Sequence, residues 1–304
     1  MKDNTMRGTF QRILKTRTAR WTLLIAMGFL LLSLVVAWLI GGRLVASANR
    51  SVEAPNNLAV VDFQIESRSG STIAGWTLSS KPGDPVAVLL HPIRGNRSTM
   101  LGRARLLHES GFSVALIDLQ AHGESSGENI TLGHLEKLDV EAVVKYTKAN
   151  FPGSKIGVVG WSLGGASALL ASPLGVDAMV LESVYPTISE AVYDRVDMRL
   201  GSLKHVAAPI LLAHLSIRLG ISSRDLRPID FIGKVDCPVL LLAGDQDLHT
   251  PLEESQAMFD AAQQPKQMVT FAGASHQDLL AYDSKLYEQK VVEFLRLSLA
   301  SSQK

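Results

Sequence analysis

Residues 155–165 read Lys-Ile-Gly-Val-Val-Gly-Trp-Ser-Leu-Gly-Gly, and Ala166-Ser167-Ala168 follow. The β-branched run Ile156 to Val159 predicts a buried strand, and the small residues from Gly165 onward predict the start of a helix. Between them, Gly160-Trp161-Ser162-Leu163-Gly164 forms a G-x-S-x-G pattern at a sharp strand-to-helix turn. A serine on such a turn sits in a strained backbone conformation. Its neighbours two residues before and two after must therefore lack side chains. The turn lifts the hydroxyl clear of the sheet, and the helix behind it offers unpaired N–H groups and a positive dipole end to an oxyanion. Ser162 is thus a candidate nucleophile, with the Leu163 N–H as one oxyanion donor.

A serine becomes nucleophilic when a base removes its proton and an acid orients that base. Downstream, the run Cys237 to Gly244 predicts another buried strand, ending in Asp245-Gln246-Asp247-Leu248-His249-Thr250-Pro251. Asp247 and Asp245 both qualify as the orienting acid. A further strand, Gln267 to Phe271, leads into Ala272-Gly273-Ala274-Ser275-His276. His276 lies in a glycine-containing loop after a strand end and is the candidate base, with His249 as its rival.

The strand Val86 to His91 is followed by Pro92-Ile93-Arg94-Gly95, and Asp118-Leu119-Gln120-Ala121-His122-Gly123-Glu124-Ser125 follows the next strand. With the serine turn, the aspartate loop and the late histidine, these segments resemble the α/β-hydrolase superfamily over roughly residues 58–299. The closest likeness is to bacterial membrane-anchored serine hydrolases of the lysophospholipase and aminopeptidase-like branch. The resemblance implies a Ser–Asp–His order and acyl-enzyme catalysis without cofactor or metal. The form Gly, two residues, Asp, three residues, Pro selects Asp247, through Gly244 and Pro251. The resemblance also implies a second oxyanion donor in the loop after Val86–His91. That loop begins His-Pro where the family has His-Gly. Proline has no N–H, so the donor moves to Ile93, with Arg94 as alternative. His91, Asp118 and His122 are implied to be framework residues.

The expected fold is α/β: an eight-stranded, mostly parallel sheet with helices on both faces. Strands are expected at about 58–66, 71–79, 86–91, 113–119, 155–160, 177–183, 238–244 and 267–272, the first two as an antiparallel hairpin. Residues of about 185–235 interrupt the alternation with two amphipathic helices, a small helical lid that would carry substrate choice. Residues 22–42 contain no charge and are long enough to cross the hydrocarbon core. Residues 1–21 form a basic arm holding Lys2, Arg7, Arg12, Lys15, Arg17 and Arg20 against Asp3. The positive-inside rule then sets the N-terminus in the cytoplasm and the catalytic domain, 58–304, outside. A bacterial inner membrane with a periplasmic domain is expected, joined by a tether over 43–57. A cleaved signal peptide is the rival reading, but the apolar run exceeds the length of a signal core.

Net charge is +1, and no basic stripe interleaved with aromatics suggests nucleic acid. Cys237 is the one cysteine, which excludes an internal disulfide. The expected substrate is a small-molecule or lipid acyl ester. Amide cleavage or acyl transfer on the same triad, and a non-catalytic binding role, are the alternatives. Glu182 and Asp194 are candidate acids for a free amino terminus in the peptidase form. Alkaline carbonate extraction should leave the protein in the membrane pellet; recovery in the supernatant would refute the anchor.

Overall fold

The computed structural model describes residues 17–300. The arm expected over 1–21 therefore lies, up to residue 16, outside the described residues. The chain divides into two compact units, 1–44 and 45–304. In the first, α1 (Arg17–Val45) is a 29-residue helix with leucine, isoleucine and phenylalanine exposed along its length. At 1.5 Å per residue it is about 44 Å long, and it is long and apolar enough to cross a membrane.

Among the described residues the second unit has ten strands: β1 (Ala48–Asn49), β2 (Val61–Glu66), β3 (Thr72–Leu78), β4 (Val86–Leu90), β5 (Ser113–Ile117), β6 (His122–Gly123), β7 (Ile156–Trp161), β8 (Ala178–Glu182), β9 (Val239–Gly244) and β10 (Lys266–Phe271). Eight of them form one sheet in the order β2-β3-β5-β4-β7-β8-β9-β10. β3 runs antiparallel to both its neighbours, and the strands from β5 to β10 in this sheet are parallel to one another. The other helices are α2 (Leu101–Glu109), α3 (Glu136–Asn150), α4 (Leu163–Leu170), α5 (Ile188–Leu200), α6 (Lys204–Leu219), α7 (Ile229–Ile232), α8 (Leu252–Ala261), α9 (Leu279–Tyr282), α10 (Ser284–Tyr287) and α11 (Glu293–Leu299). This is the α/β-hydrolase fold.

The pleat explains the two cores. Successive strand side chains point to opposite faces. Val88, Leu90 and Val158 join Val140 and Val143 of α3 and Ala166 and Leu169 of α4 on one face. Ala87, Leu89 and Val159 join Leu107 of α2 and Leu295 of α11 on the other. Strands covered on both faces carry continuous apolar runs, which is why Val86–Leu90 is buried throughout.

Residues 45–52, within the expected tether, are hydrogen-bonded onto the sheet's carboxyl edge. β1 pairs with β6 in parallel, Ala48 N–H donates to Ala121 O at 2.7 Å, and Arg50 N–H to Gly123 O at 2.8 Å. Ile130 N–H donates back to Val45 O at 2.7 Å. The segment expected as a lid contains α5 and α6, packed on each other and joined by a tight turn at Gly201–Leu203.

Asp194 of α5 and Glu254 of α8 bring two carboxyl groups together. Burial, reinforced by the charge of Asp194, pushes Glu254 up to about 9. Burial also raises Asp194. Between the ordinary carboxyl value of 4.5 and about 9, the folded chain therefore keeps a proton that the unfolded chain has released. Stability falls as pH rises through that window. Glu254→Gln removes the titration and should flatten the decline of Tm between about pH 5 and 9. Parallel Tm curves for variant and wild type in scanning fluorimetry would show that the two carboxyls do not share a proton.

Candidate active site

β7 ends at Trp161 and α4 begins at Leu163, leaving Ser162 alone to turn the chain. It does so at φ 50° and ψ −111°, a left-handed conformation that costs on the order of 1–3 kcal/mol in a non-glycine residue. Tertiary packing holds it there. Ser162 N–H donates to Glu182 O at 2.8 Å, and its side chain makes no capping bond to α4. Helix and sheet meet at backbone distance: a Cβ on Gly160 would stand 2.5 Å from Gly165 Cα, and one on Gly164 would stand 2.6 Å from the Leu90 carbonyl carbon. The glycines at minus two and plus two are thus sterically required.

β9 and β10 are adjacent and parallel, with Gly244 opposite Phe271, so their following loops emerge side by side. Asp247 and His276 meet there. His276 Nδ1–H donates to Asp247 Oδ2 at 2.7 Å. Asp247 Oδ1 accepts the N–H groups of His249 at 2.8 Å and Thr250 at 3.0 Å. Burial would raise this carboxyl, but the three hydrogen bonds and the His276 charge hold it below its ordinary value. The carboxylate fixes the imidazole tautomer, leaving Nε2 as the acceptor. Among the described residues, Ser162 Oγ and His276 are not hydrogen-bonded to each other, a contact that commonly tightens only with substrate.

The rival residues do other things. Asp245 Oδ1 accepts the Gly273 N–H at 2.6 Å and so ties the two loops together. His249 lies with its ring 5.0 Å from that of His276; burial and the neighbouring His276 lower its pKa. Donor atoms of Asp247, His249 and His276 lie within 4.8 Å of one another and could hold a metal ion. Doing so would take the carboxylate and imidazole from each other. His91 is fully buried, donates from Nδ1 to Pro92 O at 2.8 Å and accepts the Leu119 N–H on Nε2 at 3.0 Å. Burial pushes it down to about 3, so it stays neutral and shapes the loop. That loop is a turn closed by Gly95 N–H on Pro92 O at 2.9 Å, with Arg94 at φ 60° and Ile93 packed against the core. Asp118 accepts the Arg97 N–H at 2.6 Å and the Glu124 N–H at 2.9 Å.

A buried cluster beneath the serine turn escaped the sequence reading. Arg103 on α2 forks onto Glu182 at the end of β8, Nε to Oε1 at 2.9 Å and Nη2 to Oε2 at 2.6 Å. Tyr287 O–H donates to the same carboxylate. Arg103 Nη2 also reaches Asp278 Oδ1 at 3.0 Å, two residues beyond His276, and the guanidinium lies 4.9 Å from the Trp161 ring centroid. One guanidinium thus links β8, the residue before Ser162 and the His276 loop. Glu182, considered above for amine binding, is committed to this pair. The only sequence signal was an arginine on the core side of α2.

Residues 87–288 match the profile of a family described as the alpha/beta hydrolase family. The chain belongs to this family. The hydrolase is 25% identical over 239 residues to YqkD of Bacillus subtilis, covering 77% of this chain and 78% of that protein. Its fold is similar to that of the Pyrococcus furiosus esterase Pf2001, with a TM-score of 0.69 and 20% identity over 84% of this chain and 99% of that one. It is also similar to Est1E of Butyrivibrio proteoclasticus with ferulic acid bound, with a TM-score of 0.62 and 23% identity over 79% of this chain and all of that one.

Arg103→Met leaves Glu182 buried without a counter-ion and should destabilise the hydrolase by about 3–5 kcal/mol. Arg103→Met/Glu182→Gln should recover part of that loss. Unfolding of Arg103→Met at the wild-type denaturant midpoint would mean that the pair holds nothing in place.

Proposed function

We propose that this chain is a membrane-anchored serine hydrolase that cleaves carboxylic esters, lipid or other acyl esters among them. The observation that carries the reading is the 2.7 Å hydrogen bond between His276 and Asp247, in loops neighbouring the strained turn of Ser162. In this mechanism His276 Nε2 removes the proton from Ser162 Oγ as the oxygen attacks the ester carbonyl. The resulting oxyanion is stabilised by the N–H groups of Leu163 and Ile93. Asp247 stabilises the imidazolium, which then protonates the departing alcohol. Water, deprotonated by His276, attacks the acyl-enzyme, and the acid leaves as Ser162 regains its proton.

The likeness in fold to the Pyrococcus furiosus esterase Pf2001 favours an ester substrate. Helix α1 supports the anchor: it is uncharged over 22–42, and the six basic residues of the arm precede that stretch. On this reading the N-terminus is cytoplasmic and the hydrolase unit lies across the membrane from it.

A fluorophosphonate probe should label the full-length protein in membranes and fail to label Ser162→Ala. Asp247→Asn should lower ester turnover by about 10³–10⁴-fold, through loss of the correct imidazole tautomer. Equal labelling of Ser162→Ala would exclude Ser162 as nucleophile. A folded wild-type protein that never labels would favour the binding-protein alternative.

A further inference from the structure

Exposed apolar side chains are concentrated at one place in the hydrolase unit. From residue 45 onward, nine large apolar side chains face solvent among the described residues, and five of them belong to the lid. Met198, Leu200, Leu203 and Val206 fall within one stretch at the lid tip, with Leu203 60% and Val206 64% exposed. The end of α5, the turn and the start of α6 carry them. Arg199, Lys204 and His205 are interleaved, with Asp197 bonded to Lys204 at 2.8 Å. An apolar cluster rimmed by basic groups marks an interaction surface, and its chemistry suits acyl chains beneath anionic headgroups.

The fold also joins the root of the lid to the place where residues 45–48 enter the domain. The loop leaving the carboxyl end of β5 meets the incoming chain at Ala121 and Ile130, through Ala48 N–H on Ala121 O and Ile130 N–H on Val45 O, both 2.7 Å. Two residues further on, Leu132 O accepts the Tyr185 O–H at 3.3 Å, at the root of the lid. Attachment point, lid root and Ser162 therefore share the carboxyl edge of the sheet. Val45, the last residue of α1, is buried in the hydrolase core.

We propose that the lid tip, residues 198–206, inserts into an anionic bilayer, the same bilayer that α1 crosses, and so holds the carboxyl edge of the sheet against lipid. This inference rests on the anchor reading given above. A bilayer is favoured over a second copy or a soluble partner because the attachment point lies on the same edge as the lid.

The test uses full-length Ser162→Ala protein, one copy per nanodisc of phosphatidylglycerol and phosphatidylcholine, with Leu203→Cys carrying an environment-sensitive fluorophore. Cys237 is buried and its thiol is pushed up to about 12, so it stays unlabelled. Val61→Cys on edge strand β2, at the opposite edge of the sheet, is the exposed control. The expected result is quenching at 203 by spin-labelled lipid and protection from aqueous iodide, with the reverse at 61. A probe at 203 that iodide quenches as at 61, or that is shielded but untouched by spin-labelled lipid, overturns the proposal. The second of those outcomes points to a protein partner. Co-elution of protein with discs reports the anchor separately, so iodide-accessible 203 in retained protein counts against docking and not against α1. In catalytically intact protein, Leu203→Asp/Val206→Asp should lower turnover of a bilayer-resident ester about tenfold and leave a soluble short-chain ester unaffected. Equal losses on both substrates would also overturn it.

Discussion

The structure depends on how closely helix α4 approaches the sheet. Gly160 and Gly165 allow β7 and α4 to touch, and Gly164 lets α4 lie on the carbonyl of Leu90. Leu90 is the last residue of β4, and the chain runs directly from it into His91-Pro92-Ile93. The serine turn and the proposed second oxyanion donor are therefore fixed by the same backbone contact. A side chain at Gly164 would lift α4 from β4 and separate the two donors together with the hydroxyl.

Around that contact, the loops at the carboxyl edge are held by buried charge. Glu136 takes Thr131 N–H at 2.7 Å, Gly133 N–H at 2.8 Å and the Gln120 amide at 2.8 Å. Asp118 gathers the Arg97 and Glu124 amides, and Arg103 gathers Glu182 and Asp278. Such pairs add little net stability over apolar substitutes, since desolvation offsets most of their attraction. What they supply is direction. Loops without strand ladders need other partners for their N–H groups, and a carboxylate accepts several at defined angles. The irregular segments that follow β4 and β5, and the one bearing His276, are thereby held in place.

The fold was legible wherever local pattern carries the information. Alternation marked the first two long strands and apolar runs the other six, and Gly160-x-Ser162-x-Gly164 marked the turn, because one residue's strain demands particular neighbours. Choosing Asp247 over Asp245 took the spacing to Pro251; in the structure Asp245 serves the loop and Asp247 meets the imidazole. The rest depended on pairings that no local pattern reveals. Arg103 and Glu182 are 79 residues apart. β1 and β6 are two residues each, too short for alternation to register, so residues 43–57 read as a polar tether. Asp194 was considered only as an acid for a free amino terminus, and its approach to Glu254 joins helices 60 residues apart in sequence.

The segment expected as a lid also brings a charge beside the candidate acid Asp247. Arg195 on α5 donates to Ala191 O at 2.7 Å and reaches His249 O at 3.4 Å, beside the Asp247 loop. Burial lowers its pKa while Tyr185, Asp194 and Asp247 act to raise it, and its positive charge helps depress His249. Arg195 is thus tied to the backbone of the loop that carries Asp247, and Asp194 of the same helix lies beside Glu254 of α8. One helix therefore joins the Asp247 loop, the carboxyl pair and, at its far end, the apolar tip.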